Sequence, residues 1–245
     1  MSAPVKPTRR EERRIQTVRE IKQLAREQIR EGGPDAVSLS GIVRQMSMSP
    51  AALYRYFANR DALVADLVVD AYNELADSLV ELEREDVSAD RHLDEVLHGT
   101  RTWALRNPQA YQLIFQSRAG SGEGFAADRT IPAASRSMAV LVDALAAVTG
   151  GNARQTEPRP SHAPVAREES FRAWAQRSGL SRFSTEVLAL AFLTWTRLHG
   201  IISLEVGGHL AATGIGAEML FESEVATIHQ QARELPRAAP EPATD

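Results

Sequence analysis

Between Ser38 and Val64 the chain reads SLSGIVRQMSMSPAALYRYFANRDALV, which packs two short helical patterns, a tight polar turn and a pair of tyrosines into one stretch. Ser38 offers a side-chain oxygen just before the apolar-periodic run Leu39, Ile42, Val43, Met46, which signals a helix N-terminus. The run stops at Ser47-Met48-Ser49, and Ser49 can cap a second helix with Pro50 at its first position. That helix, Pro50 to about Phe57, is too short to stand alone. Leu53 and Phe57, four residues apart, must hold it by packing, which leaves Ala51, Ala52, Tyr54 and Arg55 facing outward. A third helix begins at Asn59 or Arg60, with Asp61 in its first turn, where the helix dipole favours a carboxylate. Two helices joined by a tight turn form a helix-turn-helix, whose second helix lies in the DNA major groove.

Other chemistry finds little support. Gly120-Ser121-Gly122-Glu123-Gly124 invites comparison with a phosphate-binding loop, but it follows no strand and lacks the P-loop lysine. His92 and His98, six residues apart, do not share a helix face at ligand spacing. His199 has no second histidine or carboxylate three or four residues on, so no metal site is expected. No serine–histidine–aspartate order or nucleophile elbow occurs. The chain is expected to be no enzyme and to carry no cofactor. It has no cysteine, which excludes disulfides and thiolate zinc sites.

The elements that must position these residues read as helices throughout. Residues 1–10, MSAPVKPTRR, lack periodicity and read as a mobile basic arm. From Glu11, the apolar positions Ile15, Val18, Ile21, Leu24, Ala25 and Ile29 recur every three or four residues. Gly32-Gly33-Pro34 ends that helix, with Gly32 suited to a left-handed cap and Pro34 barring continuation. After the two short helices, a long amphipathic helix runs from Asp61 to about Glu85. Further helices are expected over about 89–106, 108–116, 131–148, 171–176, 185–207 and 216–234. Polar, glycine- or proline-rich stretches at 117–128 and 150–166 read as connections. The predicted fold is all-α: a three-helix helix-turn-helix domain over 11–70, a helical regulatory and dimerisation domain over 71–234, and a disordered tail over 235–245.

Net charge is −4 over 245 residues, which alone would argue against nucleic acid. Its distribution argues the other way. Residues 1–62 hold 12 Lys and Arg against 7 Asp and Glu, and the remainder holds 16 against 25. A basic head on an acidic body fits a molecule that touches phosphate at one end. With no secretory signal pattern and no run of about 18 apolar residues, neither export nor a membrane span is expected, and the cytoplasm is the default location.

The motif as a whole resembles the N-terminal domain of TetR-family transcriptional regulators. The resemblance rests on Ser38-Leu39, Ala52-Leu53-Tyr54-Arg55-Tyr56-Phe57 and Asp61-Ala62-Leu63, after a basic first helix. A second likeness, Trp195-Thr196-Arg197-Leu198-His199-Gly200, is to a C-terminal domain type in one branch of that family. Where the family usually has Ala-Gly-Val-Ser in the turn, this chain has Met46-Ser47-Met48-Ser49. Ser47 must then accept a positive φ at a cost of about 1 kcal/mol. The usual lysine at the start of the fourth helix is Arg60.

Carried onto this sequence, the resemblance implies that Tyr54 and Tyr56 give hydroxyls to phosphates and that Arg60 adds charge beside them. Such contacts position without specifying. Base reading falls to Ala51, Ala52 and Arg55, on a surface that also includes Ser38, Ser49 and Pro50. Arg55 can fork onto a guanine, and the alanines can meet a thymine methyl. Arg9, Arg10, Arg13 and Arg14 can reach the adjacent minor groove or phosphates. In the second domain the resemblance implies an effector cavity near Trp103, Tyr111, Phe115, Trp195 and His199. It also implies a four-helix dimer bundle built on Leu188, Phe192, Ile202, Leu220, Val225 and Ile228. The expected function is a ligand-responsive regulator, more often a repressor, that binds a palindromic double-stranded DNA operator as a homodimer and answers to a small-molecule effector. The alternative is a helical protein-interaction module without specific DNA binding.

Overall fold

Thr8 starts the first helix. Its hydroxyl accepts from the Glu11 N–H at 3.3 Å, and Glu11 Oε2 accepts from the Thr8 N–H at 2.6 Å, a reciprocal capping box. The Thr8 backbone N–H, followed by its hydroxyl, holds the Glu11 carboxyl below the usual range. α1 therefore spans Arg9–Gly32, and Arg9 and Arg10 stand on a helix rather than in the expected arm. It ends at Gly33, one residue later than the sequence suggests, with φ 77° and ψ 179°. Only glycine occupies that region freely. A single 3₁₀ turn, Pro34–Ala36, follows.

This computed structural model of the chain describes residues 8–84, 86–115, 127–149 and 165–235. Residues 1–7 of the arm, the stretches 117–126 and 150–164 of the two expected connections, and the tail from 236 lie outside them. Among the described residues there is no strand.

The helix-turn-helix forms where the caps predict. α2 spans Leu39–Gln45, with Ser38 Oγ accepting from the Gly41 N–H at 3.2 Å. α3 spans Pro50–Tyr54, with Ser49 Oγ accepting from the Ala52 N–H at 3.2 Å. Between them Ser47 has φ 51°, the one non-glycine positive φ among the described residues. It is exposed, so no contact there offsets the strain. Ser47→Gly is expected to raise stability by about 0.5–1 kcal/mol, seen as a higher urea midpoint with an unchanged slope. α4 spans Arg60–Val80 and is capped by Asn59, whose Oδ1 accepts from the Ala62 N–H at 2.8 Å.

The chain divides into two compact units, the first comprising residues 1–71 and 109–130 and the second 72–108 and 131–245. Ile21, Ala25 and Ile29 of α1, Ile42 of α2, Leu53, Phe57, and Leu63, Val64, Leu67 and Val68 of α4 make the core of the first unit. Half-buried charges join α1 to α4: Lys22 pairs with Asp66 at 3.1 Å and Asp70 at 2.8 Å, and Arg26 with Asp70 at 2.9 Å. Arg129 also pairs with Asp66.

The second unit holds α5 (Ala89–Arg106), most of α7 (Ala127–Val148), α8 (Val165–Ser178), α9 (Thr185–Val206) and α10 (Ala217–Glu234); α6 (Pro108–Phe115) falls to the first unit from Gln109 on. α7 starts four residues before the expected Ile131 and carries Pro132 inside it. α8 is longer than the expected 171–176. Two helical stretches, Asp128–Val148 and Thr185–Val206, are long and apolar enough to cross a membrane, but a core helix passes the same test. Several of their charged residues pair within the fold: Asp143 with Arg182, Glu205 with Arg101 and Arg197 with Glu224.

α9 is apolar on both its faces. Val187 to Ala191, Thr194, Leu198 and Ile202 are buried, while Leu193 and Leu204 are 42% and 45% exposed. A Cβ built on Gly200, between those leucines, would meet open space. On α10, Phe221, Val225, Ile228 and Ala232 turn inward, and Met219 is 61% exposed. Of the residues expected to meet a second copy, Leu188, Ile202, Val225 and Ile228 are buried within the chain itself, Leu220 is half-buried, and Phe192, 39% exposed, also packs against Trp195.

α5 and α10 meet through His98. Its Nδ1 lies 2.8 Å from the Asp94 carbonyl oxygen and its Nε2 2.9 Å from Glu222 Oε1. A neutral imidazole has one N–H, so only the imidazolium donates to both. Burial alone lowers the His98 pKa, but the Asp94 carbonyl and the Glu222 carboxylate outweigh it and leave the pKa above its ordinary value. A group whose pKa rises on folding adds stability that is complete below its unfolded pKa and disappears as pH rises through the folded one. Between about pH 6 and pH 8 the wild-type denaturation midpoint is expected to fall more than that of His98→Gln. Equal slopes in the two proteins would contradict the imidazolium assignment.

Candidate DNA-binding surface

α3 is five residues long, and its buried side chain is Leu53. With Phe57 just beyond it, this anchor turns the opposite side of the segment to solvent. Tyr54 is 55% exposed, and Ser49, Pro50, Ala51 and Arg55 are exposed as well. Ala52 and Tyr56 are half-buried. Ser38 is half-buried, and its Oγ, besides capping α2, lies 3.0 Å from Ser40 Oγ. The structure thus collects Ser49, Pro50, Ala51, Tyr54 and Arg55 on and beside one short helix.

Arg60 departs from expectation. Its Nη2 donates to the Pro34 carbonyl at 2.6 Å and its Nε to the Val37 carbonyl at 3.2 Å, with Asp35 and Asp61 carboxylates each at 3.3 Å. The expected phosphate cation is engaged by the loop that precedes α2. Arginine allows this because its planar fork reaches two acceptors at once, which an ammonium on a flexible stem does less well. Arg14 is the reverse case. It is exposed, its guanidinium carbon sits 5.3 Å from the Tyr56 ring centroid, and no carboxylate among the described residues lies within ion-pair reach. Arg9, Arg10, Arg13, Arg44 and Arg55 likewise form no ion pair among the described residues. Arg14 and Arg55 thus bring to the segment carrying α3 positive charge that no carboxylate among the described residues pairs.

The N-terminal part matches the model of bacterial regulatory proteins of the tetR family over residues 21–67, and residues 93–228 match that of a tetracyclin repressor-like C-terminal domain. The chain belongs to the TetR family of transcriptional regulators. HTH-type transcriptional regulators of Mycobacterium tuberculosis and Mycobacterium bovis are 34% identical to it over 221 residues, which cover 89% of this chain and 90% of theirs. The crystal structure of the regulatory protein SCO4313 superposes with a TM-score of 0.72 at 36% identity, covering 90% of this chain and 98% of that one. A Rhodococcus protein of unknown function shares the fold, with a TM-score of 0.61 at 19% identity, covering 87% of this chain and 93% of that one. The matched N-terminal model contains α2 and α3, the helix-turn-helix of a DNA-binding transcriptional regulator.

The residues expected around an effector fall in both units. In the first, Tyr111 and Phe115 form a tilted pair with centroids 4.9 Å apart. In the second, Trp103 is buried, and Trp195 stacks on His199 at 5.8 Å with an interplanar angle of 10°. Phe171, Trp174 and Phe192, which sequence reasoning did not place here, extend that stack as a row of edge-on and tilted rings at 5.4–6.5 Å. Burial lowers the His199 pKa and favours its neutral form.

Proposed function

We propose that this TetR-family regulator is a homodimeric repressor that binds a palindromic operator and releases it when a small molecule binds. The observation that carries the dimer is the apolar strip on the outward faces of α9 and α10: Leu193, Gly200 and Leu204 with Met219. A second copy would cover it as a four-helix bundle, the glycine allowing close helix approach. The tetracyclin repressor-like description of the matched C-terminal model supports repression over activation. Acting on DNA, the protein would work in the cytoplasm.

In this reading the hydroxyls of Tyr54 and Tyr56, with Ser38 and Ser49 nearby, fix the register on the phosphates. Arg55 forks onto a guanine, and Ala51 and Ala52 lie against thymine methyls. The effector meets Trp195 and His199, whose stacked faces and neutral imidazole suit an uncharged, flat molecule. It would lower operator affinity only as far as it prefers the released state.

Selection of DNA from fragmented genomic or random pools with purified protein tests the reading. A palindrome with half-sites about one helical turn apart is expected. Enrichment of single half-sites alone would sink the dimer. Unchanged affinity for the selected DNA at saturating effector would sink induction.

A further inference from the structure

We propose that Arg14, rather than Arg60, supplies the cation at the phosphate met by Tyr56, and that Arg60 is a positioning residue for α2. The inference rests on the DNA-binding reading and narrows a general reach of four α1 arginines to one residue and one phosphate.

Arg60 is poorly placed to attract a phosphate. Two of its N–H groups are bound to the Pro34 and Val37 carbonyls, and two carboxylates, Asp35 and Asp61, flank its charge at 3.3 Å. Those two carboxylates repel an approaching phosphate and offset the attraction of the arginine charge. What it does hold is the backbone between α1 and Ser38, the residue that caps α2. Its cost on removal is therefore structural.

Arg14 has the opposite environment. It is exposed, with no carboxylate partner among the described residues, and its guanidinium lies over the ring of Tyr56. A contact with the ring face uses no N–H hydrogen bond and leaves the guanidinium N–H groups able to donate. It also restricts a long side chain in advance, which lowers the entropy lost when a ligand is bound. Arg9, Arg10 and Arg13 carry the same charge on α1, but Arg14 is the one docked on the segment that follows α3. A phenol hydroxyl and a stacked guanidinium side by side can hold one phosphate from two directions.

The test uses the full chain and the best-enriched duplex from a random-sequence selection, titrated from about 50 to about 200 mM salt. Arg14→Gln is expected to reduce the slope of log affinity against log salt by about 0.9. Binding should weaken by about threefold to tenfold, equally on the selected and on a mixed-sequence duplex, with the unfolding midpoint unchanged. Arg60→Gln is expected to lower the thermal midpoint and leave the salt slope intact. With Tyr56→Ala as background, adding Arg14→Gln should cost less than it does in the wild type. An unchanged slope in Arg14→Gln overturns the proposal and leaves the DNA-binding reading standing, as does a slope lost in Arg60→Gln instead. A wild-type protein that enriches no duplex sinks that reading, and this proposal with it.

Discussion

A chain carrying Leu193→Glu and Leu204→Glu together is expected to sediment as a monomer and to bind the selected palindrome about 10²–10⁴-fold more weakly. Both leucines are more than two-fifths exposed in the single chain, so charge there should leave each chain folded. In a dimer the same positions would be dry, and an ionised carboxylate without a partner is costly to bury. The DNA penalty follows from losing the tether. Once one half-site is bound, the linked second reading helix meets its own half-site at a high effective concentration, and a monomer forfeits that gain. Sedimentation and DNA titration on the same sample check both parts. A double variant still dimeric at micromolar concentration would move the interface elsewhere. Leu188→Ala is a useful contrast, because Leu188 is 2% exposed within its own chain. It should cost about 2–5 kcal/mol of folding stability rather than release a partner.

Leu53→Ala is expected to destabilise the first unit by about 2–5 kcal/mol. The reason is the shortness of α3. A five-residue helix cannot offset its own nucleation cost, so its conformation depends on the fully buried Leu53 and on Phe57. Removing the fully buried member of that anchor leaves a cavity and frees the segment carrying Tyr54, Arg55 and Tyr56. Amide exchange should then lose protection across the helix-turn-helix while α9 and α10, in the other unit, retain theirs. DNA binding should fall on every sequence tested. Leu53→Met, which conserves volume, should cost less than about 1.5 kcal/mol and preserve binding. Equal exchange in both units of Leu53→Ala would show that they unfold together.

The local grammar of the first unit was open to reading because each signal is short-range. A serine or asparagine before an apolar run satisfies orphan N–H groups wherever it stands, so Ser38 and Ser49 cap the helices expected of them, and Asn59, expected as a helix start, caps α4. The Thr8-x-x-Glu11 box was equally available in the sequence and would have placed Arg9 and Arg10 on α1. The fate of Arg60 was not available. It depends on carbonyls of residues 34 and 37, more than twenty positions away, brought near by the packing of α1 and α4. The outward apolar side of α9 was hidden for another reason. Periodicity separates an apolar stripe from a polar one, and α9 has apolar residues on both sides, Leu198 and Ile202 inward and Leu193 and Leu204 outward. Hydropathy cannot say which side meets the chain's own core.

Ser47 sits in the open, and open positions usually tolerate most side chains. Its left-handed backbone reverses that freedom. Glycine, asparagine and aspartate fit such a conformation, whereas valine, isoleucine and threonine crowd their branched β-carbon against the chain. The residues that suit this exposed site are therefore fewer than its exposure alone would allow, and the choice is set by a torsion angle rather than by neighbours.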